Sequence, residues 1–256
     1  MPINNSDQDW EKFAKSDPYF AVVTDAEYHG RPTASVRTRF FESGERHIEE
    51  MLAIIRDRLD PVFAPSRALD FGCGVGRVLI PLSTRCAQVV GVDVSPSMLA
   101  EAQRNCDAVG ARNVDLVRGD DELSTLNGSF DFIHTFIVLQ HIPVARGMAI
   151  MKKLVRRLRQ GGVAMLHITY DSGLKRRNRA SYWARLHIPG MNAVLNVARG
   201  RAPNAPIMQM NRYSITRALD MLSAEGCQEV YVRFTDHGGA RGVLLFARKG
   251  EVPIFT

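Results

Sequence analysis

Three glycines at alternate positions, Gly72, Gly74 and Gly76, follow the apolar run Ala68-Leu69-Asp70-Phe71. Glycines in such a turn let a ligand lie against bare backbone. A second apolar run, Val89-Val90-Gly91-Val92, ends in Asp93, one strand–helix–strand unit further on. A carboxylate at that strand end is the usual hold on a ribose diol. The pair of features calls for an adenosine-containing ligand.

Two such ligands compete, a nicotinamide or flavin dinucleotide and S-adenosylmethionine. Asp70 bears on the choice. A dinucleotide sets its anionic pyrophosphate over the glycine turn and the following helix N-terminus, where Asp70 would oppose it. S-adenosylmethionine carries an ammonium and a sulfonium and no phosphate, so an acid beside the glycines suits it. The spacing is Gly-x-Gly-x-Gly, with Arg77 where a dinucleotide fingerprint has its last glycine. On the glycine turn alone the nicotinamide reading stays open.

At these residues the chain resembles the class I S-adenosylmethionine-dependent methyltransferases. Asp70-Phe71-Gly72-Cys73-Gly74-Val75-Gly76 is similar to the family's first motif, which encloses the methionine end of the cofactor. The resemblance implies that Asp93, followed by Val94, binds the ribose. Ser95-Pro96-Ser97-Met98-Leu99 matches the helix start that follows, with Met98 against the adenine. Arg118-Gly119-Asp120-Asp121 resembles the third motif, where Asp120 would accept from the adenine amino group with Asp121 beside it. Phe130-Asp131-Phe132-Ile133 through Val138-Leu139-Gln140-His141-Ile142-Pro143 is similar to the strand and turn beneath the methyl group, which puts Phe136 and Gln140 at the cofactor. Leu158-Arg159-Gln160-Gly161-Gly162-Val163 resembles the turn into the fifth strand. The implied fold is α/β, a Rossmann-like doubly wound sheet of seven strands in the order 3-2-1-4-5-7-6, with the last strand antiparallel.

Periodicity supplies the elements that must position these residues. Apolar strands alternate with amphipathic helices, the mark of a parallel sheet. Strands are expected at 68–71, 89–94, 114–118, 130–136 and 163–170, and a closing hairpin at 229–234 and 242–248. A helix is expected at 96–109, with Ser95 as N-cap, Pro96 at N1 and Gly110 past its end. Others are expected at 144–159, ended by Gly161-Gly162, and at 215–224. Residues 1–60 form an N-terminal cap, with a helix at 43–59 begun by Ser43. The remainder, 61–256, is the cofactor-binding domain, with an insert at 171–213. Both additions should lie over the carboxyl ends of the strands.

Methyl transfer from a sulfonium needs positioning and exclusion of water more than acid–base chemistry. A base is required only where the acceptor loses a proton. His141, just past the fourth strand, is the candidate catalytic base; its alternative role is to brace the loop before Pro143. His167, inside an apolar strand, reads as a core histidine. Phe40-Phe41, ahead of Ser43, reads either as a lid closing over the cofactor or as a hydrophobic staple on a helix cap. Asp17-Pro18-Tyr19-Phe20 lacks the second proline of an amino-methyltransferase turn and follows a charged helical stretch, so that match is rejected.

Composition bounds the rest. The 256 residues carry a net charge of +6. Lys175, Arg176, Arg177, Arg179, Arg185, Arg199, Arg201 and Arg212 fall between 172 and 212, where there is no acid. The basicity belongs to the insert, which suits an anionic small-molecule acceptor, RNA, an acidic membrane surface, or a solvated flap. Pro189-Gly190 interrupts any single long helix there. A small metabolite is the favoured acceptor, with transfer to oxygen ahead of nitrogen, and RNA or a non-catalytic binding role as alternatives. Cys73, Cys86, Cys106 and Cys227 form no ligand-spaced pair, so reduced thiols, no metal and a cytoplasmic location are expected. No run approaches membrane-span length, and the polar, acidic start of the chain is unlike a secretory signal.

Overall fold

The computed structural model describes residues 6–30, 32–173 and 176–250, without the side chains of 176–179. The expected cations at Lys175, Arg176, Arg177 and Arg179 therefore lie outside the described side chains.

Among the described residues a seven-stranded sheet runs β3-β2-β1-β4-β5-β7-β6. Its strands are β1 (Arg67–Phe71), β2 (Gln88–Asp93), β3 (Val114–Arg118), β4 (Phe130–Thr135), β5 (Leu158–Asp171), β6 (Cys227–His237) and β7 (Ala240–Lys249). β1 to β5 are parallel, and β7 is antiparallel to both β5 and β6. Adjacent residues of a strand feed opposite faces of the sheet. Leu69, Ile133, Ala164 and Leu166 pack with Ile150, Met151 and Leu154 of α6 (Val144–Arg156) and Leu222 of α9 (Ile215–Ala224). Ala68, Phe132, Val163 and Met165 pack with Ile48, Met51, Leu52 and Ile55 of α3 (Ala34–Arg58) and Leu79 and Leu82 of α4 (Leu79–Ser83). Both faces are covered, which is why these strands read as nearly unbroken apolar runs.

The helix α5 (Pro96–Val109) forms as expected. Ser95 Oγ accepts from Met98 N at 3.1 Å, and Gly110 takes the left-handed conformation at φ 72°. The N-terminal cap is α1 (Ser6–Ser16), α2 (Pro18–Val22) and the start of α3. Its own core is Tyr19, Tyr28 and Phe40, packed on Val75 and Met98. The insert folds into α7 (Arg176–His187) and α8 (Met191–Val197), broken at 188–190.

Four expectations are corrected. The cap helix starts at Ala34, with Thr33 Oγ1 accepting from Val36 N; Ser43 sits mid-helix, its hydroxyl donating to Phe40 O at 2.6 Å. Phe40 is therefore neither staple nor lid. It is fully buried edge-on to Tyr19, Tyr28 and Phe41. α6 ends at Arg156, not at the glycine pair, because Phe130 N bonds to Arg157 O and β5 begins at once with Leu158 beside Phe130. Gly161 and Gly162 lie in an irregularity within β5, where the register with β4 shifts. The closing hairpin is longer than expected at both ends, with Gly238 and Gly239 at its tip.

Candidate functional site

A cavity of about 650 Å³ opens over the carboxyl ends of β1, β2 and β4, large enough for a small-molecule cofactor. Its near end holds Asp93, Val94, Met98, Gly119, Asp120 and Asp121, with Ile142 and Ile150. Its middle is Gly72 to Gly74, Val138, Gln140 and His141. Its far end holds Asp70, Arg77, His134, Phe136 and His237.

Asp93 is held where its strand ends. One carboxylate oxygen accepts from Gly74 N at 2.9 Å and the other from Ser95 N at 2.9 Å. Burial pushes its pKa up to about 6, against the pull of these two amides. The glycine turn curls around it. Gly72, Gly74 and Gly76 all have positive φ (78°, 52° and 89°). A side chain on any of them would meet protein: Val138 at Gly72, Val22 at 2.6 Å from Gly74, and Ala102 at 3.6 Å from Gly76. The glycines thus admit neighbouring chain as much as ligand.

The third-motif acids are already engaged. Asp120 is exposed at the cavity rim, and its oxygens take the backbone N–H (3.0 Å) and the hydroxyl of Ser124. Asp121 pairs with Arg146 at 2.7 Å. Arg146 also forks onto both oxygens of Asp7, at 2.7 Å each, and reaches Ser6 Oγ at 3.2 Å. These carboxylates raise its pKa further. One guanidinium on α6 therefore ties α1 across the cavity mouth, a geometry suited to planar bidentate pairing. Glu11 adds a second tie, accepting from the Ser95 and Ser97 hydroxyls at 2.6 and 2.7 Å. Arg146→Ala should loosen α1 by about 1.4 kcal/mol, near the upper reach of a networked pair. Amide exchange at 6–16 would then quicken roughly tenfold while that of β4 stays unchanged. Equal protection in α1 would show that Glu11 suffices alone.

Gln140 and His141 form the middle wall, and both are buried. His141 Nδ1–H donates to Gln209 O at 2.6 Å, and its Nε2 accepts from the Gln140 amide at 3.2 Å. Burial lowers its pKa to about 4. Gln140 in turn accepts from Thr169 Oγ1 at 2.6 Å, and its carbonyl takes Asn211 N. The insert's tail is thereby stitched to the β4 end, and it brings Met208 and Met210 into the cavity wall. Trp10 completes the roof, 5.0 Å edge-on to the His141 ring.

The far end carries a chain of buried groups. Asp70 Oδ1 accepts from His134 Nδ1–H at 2.7 Å, and His134 Nε2 meets His47 Nε2 at 2.9 Å. Burial, then the neighbouring His134 and Arg77, push His47 down to about 2. Asp70 is therefore tied to an imidazole rather than facing the cavity alone. Phe136 lies among His47, His167 and His237, with centroids 4.4, 5.1 and 5.5 Å away. His167 has a task beyond core packing. Ile137, which follows Phe136, sits at φ 57°, unusual for a β-branched side chain, and its N–H is accepted by His167 Nδ1 at 3.3 Å while Nε2–H donates to Thr235.

Each expected site residue lines this cavity except Gly76, which packs on α5. Sequence reading missed Trp10, His134, Arg146, Met208 and Met210. Only His134 had a usable signal, two residues before Phe136 on the strand that borders Asp70. Among the described residues no cluster suits a metal ion, and no helix is long and apolar enough to cross a membrane.

Comparison with known proteins agrees with this geometry. Residues 68–162 match a family described as a methyltransferase domain. Over 86 residues the chain is 36% identical to a 23S rRNA (uracil(1939)-C(5))-methyltransferase of Salmonella choleraesuis, covering 34% of this chain and 20% of that protein. It is 35% identical over 85 residues to magnesium-protoporphyrin O-methyltransferase of Synechocystis (33% of this chain, 37% of that one). It is 31% identical over 126 residues to trans-aconitate 2-methyltransferase of Methylobacterium nodulans (48% and 44%). The chain thus spans a fifth of the first of these relatives and less than half of the other two. In fold it is similar to a magnesium protoporphyrin IX methyltransferase from Synechocystis crystallised with bound SAH, at TM-score 0.60 and 18% identity over 93% of this chain and 98% of that one. It is also similar to the N-methyltransferase NodS from Bradyrhizobium japonicum in complex with S-adenosyl-L-homocysteine, at TM-score 0.58 and 16% identity over 97% and 100%. Residues 68–162 thus match a methyltransferase domain, and the seven-stranded sheet with its reversed closing hairpin is the fold shared with these S-adenosylmethionine-dependent methyltransferases.

Proposed function

We propose that this chain transfers the methyl group of S-adenosylmethionine to an oxygen, or less favourably a nitrogen, of a small metabolite. The observation that carries the reading is Asp93, a buried carboxylate at the end of β2 fixed by two backbone amides. Val94, Met98, Ile142 and Ile150 make an apolar slot beside it for the adenine. When bound, the cofactor supplies an electrophilic methyl group on a cationic sulfur. The chain's part is to orient and to exclude water. Trp10, residues 21–25, Met208 and Met210 roof the cavity, which favours a small acceptor over a nucleotide within RNA. The exposed Arg199, Arg201 and Arg212 of the insert remain available to attract an anion.

His141 is proposed as a brace and not as a strong base. Its Nδ1 is committed to Gln209 and its Nε2 to Gln140, and at about 4 its pKa is too low to draw a proton readily from a hydroxyl. Asp120 and Asp121 border the adenine, with Asp120 able to turn from Ser124.

The raised pKa of Asp93 gives a direct test. The ribose hydroxyls are donors, so they want the ionised carboxylate. Above pH 6 the group is charged and binding is full. Below about 6 it takes up a proton, and affinity for S-adenosylhomocysteine should fall, about fivefold between pH 6 and 5 and approaching tenfold per pH unit only below that. Folding runs the other way: the folded state holds this proton where the unfolded chain has lost it, so this group's contribution to stability declines as pH rises from about 4 to 6. Calorimetric titration between pH 5 and 8 checks the binding limb. A flat profile, or no S-adenosylhomocysteine binding at any pH, would reject the reading.

A further inference from the structure

One charged group in the cavity has no counter-ion. Arg77 lines the far end, yet no carboxylate among the described residues lies within ion-pair distance of it. Its Nε is buried without a hydrogen-bond partner, and one terminal nitrogen makes only a long bond of 3.4 Å to Ser43 Oγ. Asp70, the carboxylate whose charge acts on it, is occupied by His134. His47 beside it is neutral at ordinary pH. A half-buried guanidinium whose Nε is shut off from water without a partner carries a desolvation cost that an arriving anion would relieve. Its planar fork matches a carboxylate, two N–H groups to two oxygens.

We propose that Arg77 anchors a carboxylate of the reacting pair at the far end of the cavity, an inference that rests on the methyltransferase reading above. Two carboxylates meet the description, that of the cofactor's amino-acid end and that of an acidic acceptor. Arg77 lies just past the glycine turn, beside Ser43 of α3, and Phe136 and His237 offer ring faces in the same part of the cavity. An acidic acceptor also suits a site poor in bases. One oxygen of an ionised carboxylate forms the new bond to the methyl carbon, the carbon–sulfur pair passes to sulfur, and no proton has to be removed.

The test measures binding to the full chain. S-adenosylhomocysteine is compared with its decarboxylated analogue, and benzoate with benzyl alcohol on protein saturated with S-adenosylhomocysteine. Each pair is run on wild type, Arg77→Lys and Arg77→Gln, with melting temperatures recorded. A charged hydrogen-bonded anchor should make one carboxylate ligand at least about tenfold tighter than its partner on wild type. Arg77→Gln should erase that preference, and Arg77→Lys should retain part of it. A preference in the first pair assigns the cofactor's carboxylate, and one in the second assigns the acceptor's. Wild type indifferent to the carboxylate in both pairs overturns the proposal, even should Arg77→Gln fail to fold. So does a preference that survives in folded Arg77→Gln. Failure of wild type to bind S-adenosylhomocysteine at all would instead strike the methyltransferase reading.

Discussion

Asp93→Ala should weaken S-adenosylhomocysteine binding by roughly 100-fold or more, the equivalent of about 3 kcal/mol. Two causes act together. A ribose diol loses its charged acceptor, and hydrogen bonds to an ionised group contribute about 1.5–3 kcal/mol each. The carboxylate also organises the turn, since the Gly74 and Ser95 amides both donate to it, and the alanine leaves them without that partner. Adenosine, which keeps the ribose and lacks the amino-acid end, separates the causes from any effect at Arg77. Its affinity should fall by a similar factor. Asp93→Asn keeps the volume and removes the titration, so its weaker binding should no longer change between pH 5 and 7. Adenosine and S-adenosylhomocysteine both binding Asp93→Ala within about threefold of wild type would show that the ribose lies elsewhere.

Asp93 was legible in the sequence because its signal is local: an apolar strand ends and a carboxylate follows. The same holds for β1 to β4 and for the Ser95 cap, where Pro96 and Gly110 mark both ends of one helix. The order of the strands within the sheet came from the family resemblance, and the sheet agrees with it. What stayed hidden depends on partners far along the chain. Ser43 imitates a helix start, yet Thr33 is the true cap, because the charged stretch 34–42 hides a helix whose apolar side, led by Phe40, faces the cap's own core. Arg146 sits on a basic helix that reads as a solvated face, and only the fold brings Asp7 to it. Arg77 was visible as the residue replacing a glycine, but its lack of a counter-ion is a property of three-dimensional neighbours. Met208 and Met210 enter the site because Gln209 and Asn211 bond to His141 and Gln140, which no spacing rule anticipates.

The glycine turn gives the largest expected effect on stability, and its cause differs from the one the motif suggests. Gly72 N donates to Val92 O at 2.7 Å, which fixes the backbone at φ 78°. A Cβ there would lie 2.7 Å from Val138 Cγ1 and closer still to Cγ2. Gly72→Ala therefore meets two penalties, a left-handed backbone for an L-residue, about 1 kcal/mol, and overpacking of about 1–3 kcal/mol. Their sum, about 3 kcal/mol, should lower the melting temperature by roughly 6–12 °C in a chain of this size. Gly161→Ala isolates the first penalty, because Gly161 has nearly the same φ, 76°, with nothing within 4 Å of its would-be Cβ. It should cost only about 1 kcal/mol. Adding Val138→Ala to Gly72→Ala removes the obstruction and leaves the backbone cost, so the two changes should couple favourably in a double-mutant cycle. Gly72→Ala as mild as Gly161→Ala would mean that Val138 moves aside freely, and that the turns after β1 and β4 are not pressed together as described. A strong coupling would show that this glycine serves the contact between those two turns, and that the cavity they border is shaped by that contact before any ligand arrives.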